Sequence, residues 1–376
     1  MTINMPVKKL GFGCMRLPLT DPENQKSIDL EKFCEMVDTF LERGFTYFDT
    51  AYMYHKYQSE NFVRQALVER HPRDSYTLAS KLPLMNLKEE GDMERIFDEQ
   101  LKKCGLDYFD YYLLHNIKKD NYETAKKFDC FSFVAKMKEA GKIKHIGFSF
   151  HDTPELLEEV LSLHPEMEFV QLQLNYIDWN NSSIQAGKCY SLAEKYNKPV
   201  VVMEPVKGGS LVNLPQEAKE LFKATRPDMS IASWAIRFAA SHKNVMVVLS
   251  GMSNIEQLLD NTSYMSDFKP LNLEETDTID KVVDIINKTS TIGCTACGYC
   301  VEGCPQSIPI PEYFSIYNAQ KFAIDQGSDA QKVYYENLAA THGKASDCIA
   351  CGQCEKACPQ HLSVIEYLKT VSSVFE

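Results

Sequence analysis

The chain has 376 residues, enough for one large domain and a smaller one. Its formal net charge of -12 argues against a nucleic acid or an anionic membrane as the partner, because both are bound through basic patches. No apolar run reaches the ~18 residues that cross a bilayer, and no apolar core follows Lys8 and Lys9 as in a signal peptide, so we expect a cytoplasmic protein.

Strand-like and helix-like segments alternate along most of the chain. The strand-like segments are short, at residues 10–16, 45–48, 76–81, 109–115, 143–149, 169–174, 199–204 and 245–249. Helical periodicity follows them at residues 30–43, 60–70, 92–104, 126–140, 154–162, 182–196, 230–240 and 255–263. Eight such alternations favour a closed (β/α)8 barrel over an open doubly wound sheet. No G-x-G-x-x-G follows the first strand, which weakens the Rossmann alternative.

Four side chains with useful chemistry lie at the ends of predicted strands. Asp49 and Tyr54 follow the second strand, and Lys81 and His115 end the third and fourth. The C-terminal strand ends carry the chemistry of such barrels, so we expect the four to converge. A phenol has a free pKa of about 10 and needs neighbours that stabilise its anion before it can act as an acid near neutral pH. Any one of these residues alone would more simply be a surface charge or a satisfied polar group.

Short motifs surround these residues and continue along the chain. They are Asp49-Thr-Ala-x-x-Tyr54, Ser80-Lys81, Leu113-Leu114-His115, Gly141-Lys142-Ile-x-x-Ile-Gly147-x-Ser149, the Gln171 strand, Pro205-Val-x-x-Gly209-x-Leu211 and Ser250-Gly251-Met-x-x-x-Glu256-Gln257-x-x-x-Asn261. In this order, over about residues 8–268, they resemble the motifs of the aldo-keto reductases. The resemblance implies a barrel that reduces a small-molecule carbonyl compound, or oxidises an alcohol, with a nicotinamide cofactor.

The resemblance also implies a role for each of the four side chains. Tyr54 would be the general acid that protonates the carbonyl oxygen as hydride arrives. Lys81 would lower the pKa of that phenol, and Asp49 would hold the lysine in place. His115 would orient the substrate carbonyl through a neutral ring nitrogen.

The cofactor is expected along the later strand ends. The resemblance places it against Ser149, Gln171, Met203, Ser250, Gly251, Ser253, Gln257 and Asn261, with the nicotinamide carboxamide on the first two. Phe150 stands where the family has an asparagine, and Met203 stands where an aromatic ring commonly stacks. Ser253 and Asn254 stand where many relatives carry basic residues for the 2′-phosphate of NADP. NADP is therefore the family default, and NAD stays open.

A duplicated cysteine motif near the C-terminus is the strongest motif in the chain. Eight of the 13 cysteines form two copies of C-x-x-C-x-x-C-x-x-x-C-P, starting at Cys294 and Cys348. In two-cluster ferredoxins the fourth cysteine of each copy ligates the other cluster. Four-ligand zinc sites use paired C-x-x-C units instead, which makes zinc a poor alternative. We therefore assign Cys294, Cys297, Cys300 and Cys358 to one [4Fe–4S] cluster, and Cys304, Cys348, Cys351 and Cys354 to a second.

These motifs divide the chain into an aldo-keto reductase-like barrel, residues 1–285, and a two-cluster ferredoxin-like domain, residues 286–376. A helix over 274–287 is expected to connect the two. Helices predicted at 313–325 and 329–341 separate the cysteine repeats, and this spacer resembles the helical ferredoxin domains of succinate-dehydrogenase-type subunits.

Three functions are compatible with this combination, because a nicotinamide delivers two electrons at once whereas each cluster passes one. The first is a carbonyl reductase whose clusters serve an electron-transfer protein partner, regulation or structure. The second is a ferredoxin-coupled oxidoreductase with a flavin or single-electron chemistry in the barrel. The third is a nicotinamide-binding redox sensor with little turnover, against which the four intact side chains argue. We favour the first.

Overall fold

A computed structural model of the chain describes residues 3, 6, 8–181, 184–288, 292–322 and 330–376. The chain forms two compact units, Met1–Pro205 with Ala235–Leu271, and Val206–Trp234 with Asn272–Glu376. The predicted division of the chain at residue 285 stays a prediction.

The first unit contains a closed barrel of eight parallel strands in sequential order, in which the eighth pairs with the first. The strands are β1 Leu10–Gly13, β2 Tyr47–Asp49, β3 Thr77–Pro83, β4 Phe109–Ile117, β5 Ile143–Phe150, β6 Phe169–Gln173, β7 Val200–Met203 and β8 Val245–Gly251. The predicted (β/α)8 barrel is confirmed.

Large side chains fill the barrel interior, which explains the glycines at Gly11 of β1 and Gly147 of β5. A Cβ at Gly147 would lie 2.7 Å from the backbone oxygen of Phe169, and one at Gly11 would lie 2.7 Å from Val247 Cγ1. Each large apolar side chain removed from water contributes about 1.5–3 kcal/mol to stability. The buried interior residues are Tyr47, Ala79, Tyr111, Leu113, Phe169, Val201, Met246, Val247 and Leu249.

The helices follow the strands, and several begin and end at recognisable residues. Asp29 accepts a hydrogen bond from Lys32 N at the start of the first helix, and Thr153 caps the seventh. Gly105 ends the fourth in a left-handed conformation. The helices are α1 Leu30–Glu42, α2 Tyr54–Tyr57, α3 Ser59–Val63, α4 Asp92–Cys104, α5 Lys119–Lys127, α6 Cys130–Glu139, α7 Pro154–Leu163, α8 Ala186–Lys195, α9 Gln216–Thr225, α10 Ile231–Ser241, α11 Ile255–Met265, α12 Leu273–Lys288, α13 Tyr299–Glu302, α14 Ile310–Phe322, α15 Ala330–Ala339, α16 Gln353–Ala357 and α17 Val364–Phe375.

The predicted helices differ from the observed ones at a few positions. The helix expected at 126–140 is two helices, because Asp129 takes a left-handed conformation between α5 and α6. The helix expected at 60–70 is α3 followed by one π-helical turn, Arg64–Val68. Helix α9 was not predicted, and of the helix expected at 182–196, residues 182–183 lie outside the described residues.

The second unit is helical where it is described. Its core packs α14, α15 and α17 together around a group of buried aromatic and aliphatic side chains. The helices predicted at 313–325 and 329–341 appear as α14 and α15, and residues 323–329 lie outside the described part of the chain. Within the described ranges, no helix combines the length and apolar character that crossing a membrane requires.

Candidate active site and cysteine cavities

A buried ion pair joins the ends of β2 and β3. Lys81 Nζ donates to Asp49 Oδ1 at 2.5 Å and to the backbone oxygen of Thr50 at 2.8 Å. Both charged side chains are almost fully buried. Burial raises the pKa of the Asp49 carboxyl, although the Lys81 ammonium opposes this. The two charges therefore depend on each other, since either alone would be an uncompensated buried charge.

Two rings complete the group of four side chains. Lys81 Nζ lies 5.1 Å from the centre of the Tyr54 ring. The Tyr54 and His115 rings meet edge to face, with their centres 6.1 Å apart. The structure thus brings Asp49, Lys81, Tyr54 and His115 together at one end of the barrel, although they are up to 66 residues apart in the chain.

Burial is the main influence on the phenol of Tyr54. Burial raises its pKa well above the ordinary value, and the carboxylates of Asp49 and Glu204 raise it further. The Lys81 ammonium is hydrogen-bonded to Asp49 rather than to the phenol, and the expectation that it lowers the Tyr54 pKa stays a prediction. A phenol that keeps its proton remains a hydrogen-bond donor.

His115 is held in its neutral form. Burial lowers its pKa well below the ordinary value, and the charges of Lys81 and His151 lower it further. Its Nδ1 atom is buried and has no hydrogen-bond partner among the described residues. A neutral imidazole with an unsatisfied ring nitrogen can form a hydrogen bond to a polar group that enters the site.

Ser149 and Gln171 lie side by side in the register of β5 and β6. The backbone N–H of Asn116, a residue with a left-handed backbone (φ 64°), donates to Ser149 Oγ at 2.8 Å. Gln171 Oε1 is buried and accepts no hydrogen bond within the part of the chain that the structure describes. A buried amide oxygen in this state suits a ligand that donates an N–H, such as a carboxamide. Met203 ends β7 opposite Gln173 and is partly buried.

The remaining predicted cofactor residues bond mainly to one another around the end of β8. Asn261 Nδ2 donates to Ser250 Oγ at 2.9 Å, and both side chains are buried. The backbone N–H of Ser253 donates to Gln257 Oε1 at 2.8 Å. These residues and Gly251 thus lie close together, at the end of β8 and in the first turns of α11.

Arg16 is a basic residue near this segment that the sequence did not single out. Ser253 Oγ donates to its backbone oxygen at 3.0 Å, and a Cβ at Gly251 would lie 3.3 Å from its side chain. In the sequence Arg16 is only a charged residue at the end of the first predicted strand, and it is 237 positions from Ser253.

A second buried carboxyl lies behind Lys81. Glu60 Oε1 accepts from Ser80 Oγ and from Gln100 Nε2, both at 2.7 Å, and Tyr112 donates to Gln100 Oε1 at 2.6 Å. Gln100 Nε2 also reaches the backbone oxygen of Lys81 at 3.1 Å. Burial raises the pKa of the Glu60 carboxyl to about 7. This network fixes the strand that carries Lys81 and contains a group that titrates near neutral pH.

Two cavities in the second unit are lined by cysteines. The first is lined by Cys294, Cys297, Cys300 and Cys358, and the second by Cys304, Cys348, Cys351 and Cys354. These are the two sets expected from the sequence, in which each repeat gives its last cysteine to the other set.

The two cysteine repeats share an unusual backbone. Left-handed conformations occur at the same positions in both copies, at Ala296, Gly298 and Ser307 in the first and at Ala350, Gly352 and His361 in the second. The Ala296 N–H donates to Cys294 Sγ at 3.4 Å. Such turns expose backbone N–H groups to an anionic ligand, and sulfur atoms of a cluster are ligands of that kind.

The donor set fits a cluster better than a single ion. Among the described residues no group of three or more His, Cys, Asp or Glu side chains converges closely enough to hold one metal ion. The thiols instead surround the cavities. Burial, together with the neighbouring cysteines, raises the pKa of Cys294 to about 12 and that of Cys354 to about 11. Four thiolates in one cavity therefore require cations to compensate them.

Family models match two stretches of the chain. Residues 9–284 match the model described as aldo/keto reductase family, and residues 293–362 match a 4Fe-4S dicluster domain. The first match covers well over half of the chain, and the second covers all eight cysteines of the repeats.

Curated relatives and solved structures agree with the first match. The chain is 30% identical over 176 residues to a probable aldo-keto reductase of Glycine max, a match over 44% of this chain and 47% of that protein, so it spans about half the length of this relative. It is 24% identical over 294 residues to an uncharacterized oxidoreductase of Bacillus subtilis, over 69% of this chain and 88% of that protein. An aldo-keto reductase from Bacillus halodurans in its holo form is 26% identical, with a TM-score of 0.58 over 74% of this chain and 95% of that one. One from Klebsiella pneumoniae in complex with NADPH is 20% identical, with a TM-score of 0.58 over 75% and 94%, and shows the fold alone.

Proposed function

The chain belongs to the aldo/keto reductase family, in a form that carries a C-terminal 4Fe-4S dicluster domain, and from this premise we propose that it reduces a small-molecule carbonyl compound, or oxidises the alcohol, with a nicotinamide cofactor. The observation that carries the proposal is the group formed by Asp49, Lys81, Tyr54 and His115. We further propose that the two cysteine cavities each hold one [4Fe–4S] cluster.

The four side chains divide the work of proton transfer. Tyr54 donates its proton to the carbonyl oxygen of the substrate, and its high pKa keeps that proton in place until the oxygen becomes basic. Lys81, fixed by Asp49, places a positive charge 5.1 Å from the Tyr54 ring, where it stabilises the phenolate that the transfer leaves behind. His115, neutral and edge-on to the same ring, orients the carbonyl through a hydrogen bond.

The unsatisfied atoms of the site support the proposed position of the cofactor. A nicotinamide cofactor supplies a hydride when bound. Gln171 Oε1 is buried and has no hydrogen-bond donor within the described residues, so it would accept a hydrogen bond from the carboxamide of the nicotinamide. Ser149 of β5 is paired with Gln171 of β6 and lies beside it. Ser250, Gly251, Ser253, Gln257 and Asn261 would hold the rest of the cofactor, and Met203 would pack against its ring. NADP is the form we propose first, on family membership.

The cluster assignment rests on the lining of the cavities. Cys294, Cys297, Cys300 and Cys358 would ligate the first cluster, and Cys304, Cys348, Cys351 and Cys354 the second. The family matches give no support to a flavin in the barrel, so the flavin-based alternative is not carried further. An electron-transfer protein partner and a cytoplasmic location stay predictions.

Replacing Tyr54 by phenylalanine tests the proton transfer. With anaerobically purified protein, NADPH or NADH and a set of aromatic and aliphatic aldehydes, we expect Tyr54→Phe to lower kcat roughly 100- to 10,000-fold, the usual contribution of a general acid. Cofactor affinity, measured by fluorescence titration, should be unchanged. Tyr108→Phe is the matched control, since its hydroxyl lies at an exposed contact with Lys144.

Two results would contradict this function. Retained turnover in Tyr54→Phe would remove the general-acid assignment. Wild-type protein that binds neither NADPH nor NADH would remove the nicotinamide reaction altogether.

A further inference from the structure

Lys207 is a buried cation of the second unit whose position no motif explains. Its side chain is only 7% exposed, and its Nζ donates to Gln360 Oε1 at 2.9 Å. Gln360 is itself 6% exposed and lies 153 positions away in the chain. Burying an ammonium group costs solvation, and ordering a lysine side chain costs up to about 2 kcal/mol of entropy. We therefore expect the positive charge of Lys207 to stabilise a negative charge nearby.

Two glycines bring the segment of Lys207 against the first cysteine repeat. A Cβ at Gly208 would lie 2.3 Å from the backbone oxygen of Thr295, so only glycine permits this approach. A Cβ at Gly293 would lie 3.3 Å from Lys207 Cε. The side chain of Lys207 is therefore packed against the segment that starts the first repeat.

Two of the residues that the segment of Lys207 and Gly208 meets belong to the wall of the first cavity. Thr295 and Gln360 line that cavity together with Cys294, Cys297, Cys300 and Cys358. The Lys207 ammonium thus lies directly behind the cavity wall, where the low dielectric of the interior strengthens its effect on any charge inside.

The second cavity has a different electrostatic setting. Gln306, which occupies the position of Gln360 in the first repeat, lines that cavity. The Lys369 ammonium interacts with Cys348 of this set, but Lys369 is 67% exposed and paired with Glu366 at 2.7 Å. Solvent and the paired carboxylate weaken the effect of such a charge.

We propose that Lys207 raises the reduction potential of the cluster held by Cys294, Cys297, Cys300 and Cys358, so that this cluster takes up an electron before the second one does. Reduction adds one electron from a one-electron donor and neither forms nor breaks a bond, so the cluster gains one negative charge that the nearby ammonium stabilises. The inference rests on the proposed cluster ligands. Lys207 then acts on the potential of the cluster through its charge, and it is not a catalytic residue.

Two substitutions change the charge at this place in different ways. Lys207→Met removes the positive charge and keeps most of the length of the side chain. Gln360→Glu keeps an acceptor for Lys207 in the same place and adds a negative charge beside the cavity. Both should lower the potential of the same cluster, on the order of tenfold in its reduction equilibrium, or about 59 mV for a one-electron couple. Lys369→Met is the matched control and should leave this potential unchanged.

The measurement is an anaerobic redox titration of the full-length holoprotein, with dithionite and viologen mediators, followed by EPR and visible absorption. Iron and sulfide are determined in each sample first, and about eight iron atoms per chain are expected. A purely structural role for Lys207 predicts a lower unfolding temperature without a shift of either potential.

The possible outcomes separate this inference from the proposed function. Unchanged potentials in fully loaded Lys207→Met and Gln360→Glu would overturn the inference and leave the clusters in place. If Lys207→Met does not fold or loses iron, Gln360→Glu decides, since it keeps the hydrogen bond. Wild-type protein that holds no iron or sulfide after anaerobic reconstitution would overturn the inference and the cluster assignment together.

Discussion

The candidate active site of the barrel draws its four side chains from three strand ends spread over residues 49–115, whereas each cysteine cavity takes three of its four thiols from seven consecutive residues. The barrel side chains meet only because the parallel strands are in register. The cysteines of one repeat are placed by a local turn, and only the fourth depends on long-range folding. The first site therefore depends on tertiary structure throughout, and each cavity depends on it through one residue.

In each cavity this single long-range residue comes from the other repeat. Cys358 belongs to the second repeat but lines the first cavity, and Cys304 does the reverse. The two cavities are thus interlocked, because neither repeat supplies all four of the cysteines that line one cavity.

Removing the exchanged cysteines has the largest expected effect, the loss of one whole cluster. Cys358→Ala should lose the same EPR signal as Cys297→Ala, although the two residues lie in different repeats. Cys304→Ala should match Cys351→Ala, and each variant should keep about half of the iron. Iron analysis and EPR of the reduced protein make the comparison.

Cys34→Ala is the control, because this partly exposed thiol lies outside both repeats. If Cys358→Ala instead lost the signal that Cys351→Ala loses, each repeat would supply all four ligands of its own cluster and the interlocked arrangement would be wrong.

Breaking the buried ion pair tests the dependence of the barrel site on tertiary structure. Lys81→Met leaves Asp49 buried without its partner, so we expect a loss of about 3–5 kcal/mol in the free energy of unfolding. Lys195→Met removes an exposed lysine from its pair with Glu158 and should change this free energy by about 0–1 kcal/mol. Urea unfolding followed by circular dichroism measures both.

The barrel and the cysteine cavities should respond differently to Lys81→Met. Lys81→Met should leave the iron content unchanged, since Lys81 belongs to the first unit. A loss of less than about 1 kcal/mol would mean that Asp49 becomes neutral at no cost, and the ion pair would not be what holds the site together.

The sequence predicted the parts of both regions that follow from periodicity and spacing. The eight strands gave the barrel, and strand ends marked Asp49, Lys81 and His115 without any contact information. The position of Arg16 near Ser253, and that of Lys207 behind Gln360, could not be predicted, because each depends on residues more than 150 positions apart.

The direction of the Tyr54 pKa shift was also beyond the sequence. Spacing shows that a lysine is near a phenol, but it does not show that the lysine is hydrogen-bonded to Asp49 or that burial dominates. The interruption between α5 and α6 at Asp129 could not be predicted from the sequence either. A single residue with a left-handed backbone leaves the helical periodicity on both sides intact.

The smallest predicted effect concerns Glu60, whose carboxyl has a pKa raised from 4.5 to about 7. The unfolded chain loses this proton near pH 4.5 and the folded protein keeps it to about pH 7, so the native state binds more protons in this window. Stability contributed by the protonated group is therefore lost as pH rises from about 4.5 to 7, by about 3 kcal/mol at most. Glu60→Gln, which keeps an acceptor for Ser80 and Gln100, should remove this slope from urea unfolding measured at several pH values. Glu158→Gln, at an exposed pair, is the control. An unchanged slope in Glu60→Gln would mean that the network behind Lys81 is already ionised at pH 5, and the barrel site would then hold two buried carboxylates against one lysine.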